Sequence, residues 1–405
     1  MKFLFVHQNY PGQYLHIIRH LQADPRHEVV FITEPNANAI QGVRRVVYEL
    51  GRKARVDIHP GARDLELALQ RADKVAHAAR QLKALGYQPH IIIGHHGWGE
   101  LLNLVDVWPG VPILGYFEFY YHTLGYDVNY DPEFPMADNF QPGVRAMNTI
   151  NHLALALGQH GQSPTRFQRE AYPEWARPQI ALLPEGTRLD LCKPDPLAST
   201  RRLSIGDFHI DPHDRLVTYV ARNLEPYRGF HTLMRALPKL LARPDVKVVM
   251  LGGDDVSYGA RLTNSTWRQH FTEQLQGSYD TSRVLMPGQL DYDTYLSLLQ
   301  RSDAHIYLTY PFVASWSLRE ALACGCALVA ADVEPVAEFV THNQNGLLVP
   351  GLDSTILAET VLDLLESPRR AETLRQGARS YAEIHLDMKT HLAAFEARIE
   401  DLTHP

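Results

Sequence analysis

The sequence predicts an α/β protein made of two doubly wound domains in series. Three observations carry this. Short apolar runs alternate with longer stretches of helical periodicity along nearly the whole chain. The alternation restarts near Leu216 after a complete first round. Between the rounds lies a stretch rich in chain breakers: Pro184, Gly186, Pro194 and Pro196. Strands of a parallel sheet are covered on both faces, so they read as continuous apolar runs rather than as alternation.

Phe3-Leu4-Phe5-Val6 opens the first round as a buried strand, and Tyr14, Ile17, Ile18 and Leu21 follow at helical spacing. Val29 to Ile32 is the next strand. Asp64 to Leu85 is a long Ala/Leu-rich helix stopped by Gly86. Ile91 to Ile93 and Pro112 to Leu114 are strands, Val144 to Leu157 a helix, and Ile180 to Leu183 a strand. The second round begins with strand Leu216 to Val220 and helix Phe230 to Ala242. Strand Val246 to Leu251 runs into Gly252-Gly253-Asp254. Helix Tyr292 to Leu299, strand His305 to Leu308, helix Ser317 to Cys324 and strand Leu328 to Ala330 follow. Asn345-Gly346 turns into strand Leu347 to Val349. Tyr381 to Leu402 reads as one or two helices, with Leu392, Phe395 and Ile399 at helical spacing. The division is residues 1–190, residues 191–380 and a terminal helix over 381–405.

Composition narrows the function classes. The 405 residues are 45% apolar and 21% charged, which excludes a disordered, collagenous or coiled-coil chain. Net charge is 39 minus 46, or −7, and does not support a chain-wide basic surface for nucleic acid. Cys192, Cys324 and Cys326 are too few for a disulfide framework and show no metal-ligand spacing. No apolar run approaches about 18 residues, and Met1 to Val6 is too short for a signal-peptide core. The expected location is the cytoplasm, or the periphery of a membrane at most.

Ligands of open α/β sheets bind outside the carboxyl ends of the strands, and two such domains place the expected site between them. Ala221 to Phe230 follows a strand and opens a helix, where free backbone N–H groups and a partial positive charge gather. Arg222 and Arg228 add fixed charge and forked donors that match phosphate oxygens. Gly229 lets the helix start close to a ligand or a neighbouring strand. The competing reading has both arginines on the surface, paired with carboxylates. Tyr310 to Cys326 repeats the strand–loop–helix pattern. Ser315 or Ser317 is the expected cap, Glu320 lies in the first turn or so, Gly325 ends the helix, and Trp316 is expected in the core. Glu320 either accepts hydrogen bonds from a ligand's hydroxyls or simply complements the helix dipole.

Together these stretches resemble family 4 glycosyltransferases, and the resemblance covers nearly the whole chain. Gly252-Gly253-Asp254, Leu285 to Leu290, the Glu320 helix, Glu334 to Glu338 and Asn345 to Pro350 come in that family's order. Phe5 to Gln13, Ser163 to Arg166 and Pro184-Glu185-Gly186 resemble one of its subgroups. The resemblance implies the GT-B fold, two Rossmann-like domains facing each other across a cleft. It implies a nucleotide diphosphate sugar as donor, retention of configuration, no cofactor, no metal and no nucleic acid.

The implied roles fall on named positions. Arg222 and Arg228 would hold the donor diphosphate, Arg228 standing where the family usually has Lys. Glu320 would bind the ribose, and the backbone at Leu290 would face the base. The family's other Glu is absent: Phe312 occupies its place. The sugar would then be held largely by backbone groups near Phe312, Val313, Ser315, Trp316 and Ser317. Gly12, with Gln13, matches a loop whose N–H groups approach the donor phosphates, or makes an ordinary tight turn.

In the first round, His95 and His96 are adjacent, point to different sides, and are not expected to share a metal. Glu118 stands near a position where many family members carry His, and could position an acceptor hydroxyl. His95, Tyr120 and His122 are further acceptor-side candidates. The acceptor would be a glycan, a lipid-linked saccharide or a small molecule. Arg44, Arg45, Arg52, Lys53 and Arg55 make a basic strip, read as a solvated face or as a contact with anionic lipid. The family's terminal helix crosses back onto the N-terminal domain. Two other classes remain: a nonhydrolysing nucleotide-sugar epimerase, and a silent sugar- or nucleotide-binding relative suggested by Phe312.

Overall fold

A computed structural model describes residues 1–51 and 57–404. The chain forms two compact units, Met1–Glu185 with Lys389–Pro405, and Gly186–Met388. In the first unit the strands are β1 (Lys2–Val6), β2 (Glu28–Thr33), β3 (Arg44–Val47), β4 (Ile91–His95), β5 (Ile113–Tyr116), β6 (His160–Ser163) and β7 (Ile180–Leu182). Among the described residues they make one parallel sheet, ordered β3-β2-β1-β4-β5-β6-β7. The second unit carries a small antiparallel hairpin, β8 (Leu203–Ile205) and β9 (Phe208–Ile210). Its main strands are β10 (Arg215–Asn223), β11 (Val246–Gly253), β12 (Val284–Gly288), β13 (Ala304–Tyr307), β14 (Leu328–Ala331) and β15 (Leu347–Val349). They form a parallel sheet ordered β12-β11-β10-β13-β14-β15.

Both sheets therefore reverse winding once, between β1 and β4 and between β10 and β13. Those are the points where this topology opens a crevice at the strands' carboxyl ends. The pleat explains the continuous apolar runs. Leu4 and Val6 pack on one face against Val75, Ala76, Ala79 and Leu82 of the Arg63–Ala84 helix. Phe3 and Phe5 pack on the other, against Tyr14, Ile17 and Ile18 and against Phe395 and Ile399 of the Met388–Thr403 helix. That last helix is part of the first unit's core.

Most predicted elements appear within a residue or two. The differences have local causes. The predicted Val144–Leu157 helix is two helices, Gln141–Met147 and Thr149–Ala156. Asn148 separates them, its buried side chain pairing both ways with the Tyr121 backbone at 2.9 and 2.8 Å. Periodicity does not predict β3, an edge strand of sequence Arg-Arg-Val-Val, or β6, which reads His-Gly-Gln-Ser. Among the described residues no helix is long and apolar enough to cross a membrane.

Candidate functional site

At the second unit's switch point, β10 ends in Arg222-Asn223 and a tight 3-10 turn, Pro226–Arg228, leads into the Phe230–Leu240 helix. Gly229 joins turn to helix at φ +70°, and a Cβ there would lie 2.3 Å from the Leu308 Cβ, just beyond β13. Only glycine satisfies both constraints. This close approach brings Arg228 against the end of β13. One of its terminal nitrogens donates to Thr309 Oγ1 at 2.8 Å and to the Val313 carbonyl at 3.0 Å. The guanidinium lies 5.1 Å from the Tyr258 ring centre and is 6% exposed. Among the described residues no carboxylate pairs with it. Burial opposes its charge, but the surrounding Tyr307, Tyr258, Tyr227 and Tyr219 outweigh burial and hold its pKa above the ordinary arginine value. Arg222 is exposed at the strand end.

The neighbouring loop ends in the Trp316–Ala323 helix. Ser315 takes the N-cap position, yet its hydroxyl bonds the Ser317 hydroxyl at 2.7 Å and caps no helix N–H. The Ser315 N–H donates to Tyr307 Oη at 2.8 Å, fixing the helix start to β13. One expectation fails here. Trp316 is 52% exposed rather than in the core, because it is the first helical residue and points away from the sheet's covered face. Glu320 is the fifth helical residue, at the end of the first turn or so as expected, with Ser315 at the N-cap position. Its carboxylate accepts from Tyr292 Oη at 2.8 Å and Tyr295 Oη at 2.7 Å. Burial raises its pKa against those two hydrogen bonds. Leu290 and Tyr295 pack against the same buried cluster, which includes Leu251 and Leu298. Phe312 is buried, its ring 4.9 Å from Tyr258 and 5.5 Å from Tyr227, which makes it part of the wall behind Arg228.

The first unit's switch point has a different chemistry. His7 follows β1 directly and is buried, its ring 5.7 Å from that of His95 at the end of β4. His7 Nδ1 accepts the Asn9 N–H at 2.9 Å, which puts the proton on Nε2. Burial, and then the neighbouring His95, push the His7 pKa down to about 3. His95 Nδ1 accepts the Gly97 N–H at 3.2 Å, and Nε2 faces Glu118 Oε2 at 3.4 Å. Gly12 turns at φ +56° with its Cβ position 3.2 Å from His7 Nδ1. The neighbouring Gln13 keeps a buried Nε2 without a hydrogen-bond partner among the described residues. His95 and Glu118 are thus brought together. Tyr120 and His122 are turned elsewhere: Tyr120 Oη meets His152 Nε2 at 2.9 Å, and His122 Nε2 meets the Ala171 carbonyl at 2.7 Å. Of the basic strip, Arg44 is exposed, while Arg45 donates to the Asn36 and Asn38 carbonyls. Arg52, Lys53 and Arg55 lie outside the described residues.

Residues 25–192 match the sequence profile of the glycosyl transferase family 4 group, and residues 203–381 that of glycosyl transferases group 1. The chain belongs to the family 4, group 1 glycosyltransferases. It is 30% identical over 178 residues to a phosphatidyl-myo-inositol mannosyltransferase of Mycolicibacterium smegmatis, covering 42% of this chain and 41% of the relative. It is 28% identical over 211 residues to a D-inositol 3-phosphate glycosyltransferase of Stackebrandtia nassauensis, covering 50% of this chain and 45% of the relative. The alignments thus span less than half the length of these curated relatives. A sucrose-phosphate synthase of Thermosynechococcus elongatus superposes with a TM-score of 0.71 at 20% identity, covering 99% of both chains. HepE of Anabaena, in complex with UDP and glucose, gives 0.69 at 18% identity, again over 99% of both. These likenesses establish the GT-B fold.

Within this family 4 glycosyltransferase, two residues lie inside the quoted stretches without being singled out there. His7 belongs to the Phe5 to Gln13 stretch, but its place beside His95 is not readable from the chain order. Glu225, wholly buried between Leu224 and Pro226, has no signal beyond a charge in an apolar setting.

Proposed function

We propose that this chain is a retaining glycosyltransferase moving a sugar from a nucleotide diphosphate donor to an acceptor hydroxyl on a glycan, a lipid-linked saccharide or a small molecule. The supporting observation is Arg228, a buried cation at a parallel-sheet switch point with no carboxylate partner among the described residues. An unpaired buried charge is costly, and a diphosphate would supply the missing countercharge. The curated relatives include mannosyl- and inositol-directed glycosyltransferases, one of them GDP-mannose-dependent by name.

The donor's bond from the anomeric carbon to diphosphate oxygen breaks as the acceptor oxygen bonds that carbon on the same face. The acceptor proton passes to a diphosphate oxygen. Negative charge grows on the leaving group, and Arg228 with Arg222 stabilises it. Glu320, whose oxygens keep free lone pairs beside the two tyrosines, accepts from ribose hydroxyls. The backbone at Leu290 faces the base, backbone groups over Phe312 to Ser317 hold the sugar, with Trp316 beside it, and the Gly12-Gln13 turn approaches the phosphates. Glu118, braced by His95, orients the acceptor hydroxyl. No metal takes part, and the reaction runs on the cytoplasmic side, with exposed Arg44 free to meet anionic lipid.

Thermal stability with saturating UDP, GDP, ADP or TDP, in a chelator, tests the reading. One nucleotide at a hundredfold its Kd should add about 2.7 kcal/mol to the folded state, and Arg228→Ala should reduce the gain. No gain with any nucleotide overturns the proposal, and a gain that needs metal removes its metal-independent part.

A further inference from the structure

We infer that Glu225 is a positioning residue for the diphosphate end of the donor, acting through the 257–259 loop on Arg228; this rests on the donor reading above. Glu225 and Arg228 sit at opposite ends of one tight turn, both buried and oppositely charged. Two such groups would be expected to pair. They do not. Glu225 spends both oxygens on the loop that follows β11, accepting N–H groups from Ser257 at 3.0 Å, Tyr258 at 3.4 Å and Gly259 at 3.1 Å. A carboxylate saturated by backbone donors is satisfied without a cation. The amides of residues 257–259 therefore do what Arg228 would otherwise do, and the guanidinium keeps its charge for another anion.

The same contacts set where Arg228 points. Asn223 ties the loop a second time, donating to Ser257 Oγ at 2.7 Å, and the Leu224 N–H donates to the Gly253 carbonyl at 2.9 Å. With the loop clamped at both ends, the Tyr258 ring lies against the guanidinium at 5.1 Å, and against Phe312 at 4.9 Å. Tyr258 forms one wall, and Thr309 with the Val313 carbonyl forms the other. Glu225 thereby both leaves Arg228 uncompensated and builds the aromatic wall that orients it.

Glu225→Gln keeps volume but turns an NH2 group toward backbone N–H donors, which releases the loop. Tyr258→Ala removes the wall from a part-exposed position and keeps the test alive if the first variant folds poorly. Calorimetry would measure Kd for UDP and GDP, and for uridine and guanosine, with the wild type, both variants, Arg228→Ala and the doubles. Each single variant should weaken diphosphate binding about tenfold and leave nucleoside binding unchanged, because only the phosphate end meets Arg228. In the Arg228→Ala background neither should weaken diphosphate binding further. Equal losses for nucleoside and diphosphate, losses that add to that of Arg228→Ala, or unchanged diphosphate binding overturn the positioning role. A wild type that binds none of UDP, GDP, ADP and TDP overturns the donor reading, and Glu225's role falls with it.

Discussion

The two sheets share a winding order, yet their switch points carry opposite chemistries. The second unit's holds a permanent cation in a cage of tyrosines, with hydroxyl and carbonyl acceptors fixing one edge of it. The first unit's holds two histidines in edge-on ring contact, His7 and His95, with Glu118 beside His95. One is suited to an anion whatever the pH. The other is suited to a neutral hydroxyl, because imidazole nitrogens and a carboxylate offer hydrogen bonds without a permanent cation. The fold supplies two equivalent crevices, and the residues after β1, β4, β5, β10 and β13 decide what each can hold.

The largest effect should come from the cation. Arg228→Ala is expected to lower turnover by about 10²–10³, measured as initial rate at saturating donor and acceptor. Arg228→Lys should recover part of this, since charge returns without the planar guanidinium, one nitrogen of which holds both Thr309 and the Val313 carbonyl. Near-normal turnover in Arg228→Ala would dissolve the contrast between the two crevices.

Paired glycine substitutions sharpen the contrast in backbone terms. Gly229→Ala places a methyl 2.3 Å from the Leu308 Cβ at φ +70°, so it should cost about 2–4 kcal/mol by chemical denaturation. Gly12→Ala meets the His7 ring at 3.2 Å and φ +56°, and should cost about 1–2 kcal/mol. Equal costs would mean that the Arg228 turn is no more tightly built than its counterpart.

Next comes the carboxylate beside His95. Glu118→Gln should slow turnover about tenfold to a hundredfold while leaving the nucleotide-induced stabilisation intact. Loss of that stabilisation would place Glu118 with the donor and erase the division of labour.

What the sequence discloses follows the same line between backbone and side chain. Strands such as Phe3 to Val6 are legible because both their faces are buried and every position must be apolar. The edge strand β3 and the polar β6 are not, because their pairing with neighbours, rather than side-chain burial, makes them strands. In the site, Arg228 and Gly229 are legible from local order along the chain. The isolation of Arg228 is not, because it depends on amides at 257–259 taking up Glu225. Trp316 misleads for a related reason: hydrophobicity argues for the core, but as the first residue of its helix it is left exposed.

The smallest effect compares the two buried carboxylates. Glu225 receives three backbone N–H groups, whereas Glu100 receives the Tyr48 hydroxyl on one oxygen and has no partner for the other among the described residues. Burial therefore raises the Glu100 pKa from 4.5 to about 7, against the Tyr48 hydrogen bond. A carboxyl that holds its proton more tightly when folded stabilises the fold fully below about pH 4.5, and that contribution is lost as pH rises through about 7. His7 and His96 act in the opposite sense, because burial lowers their pKa values to about 3 and about 4 and they favour unfolding as pH falls below 6.5. The two effects overlap, so the test is a difference between proteins rather than one pH curve. Glu100→Gln keeps the shape and removes the titration. Its melting temperature relative to wild type should rise by a few degrees between pH 5 and pH 8, the range bracketing the Glu100 transition. A constant difference across that range would show that Glu100, like Glu225, is held as a satisfied carboxylate, and the two units would then manage their buried charges alike.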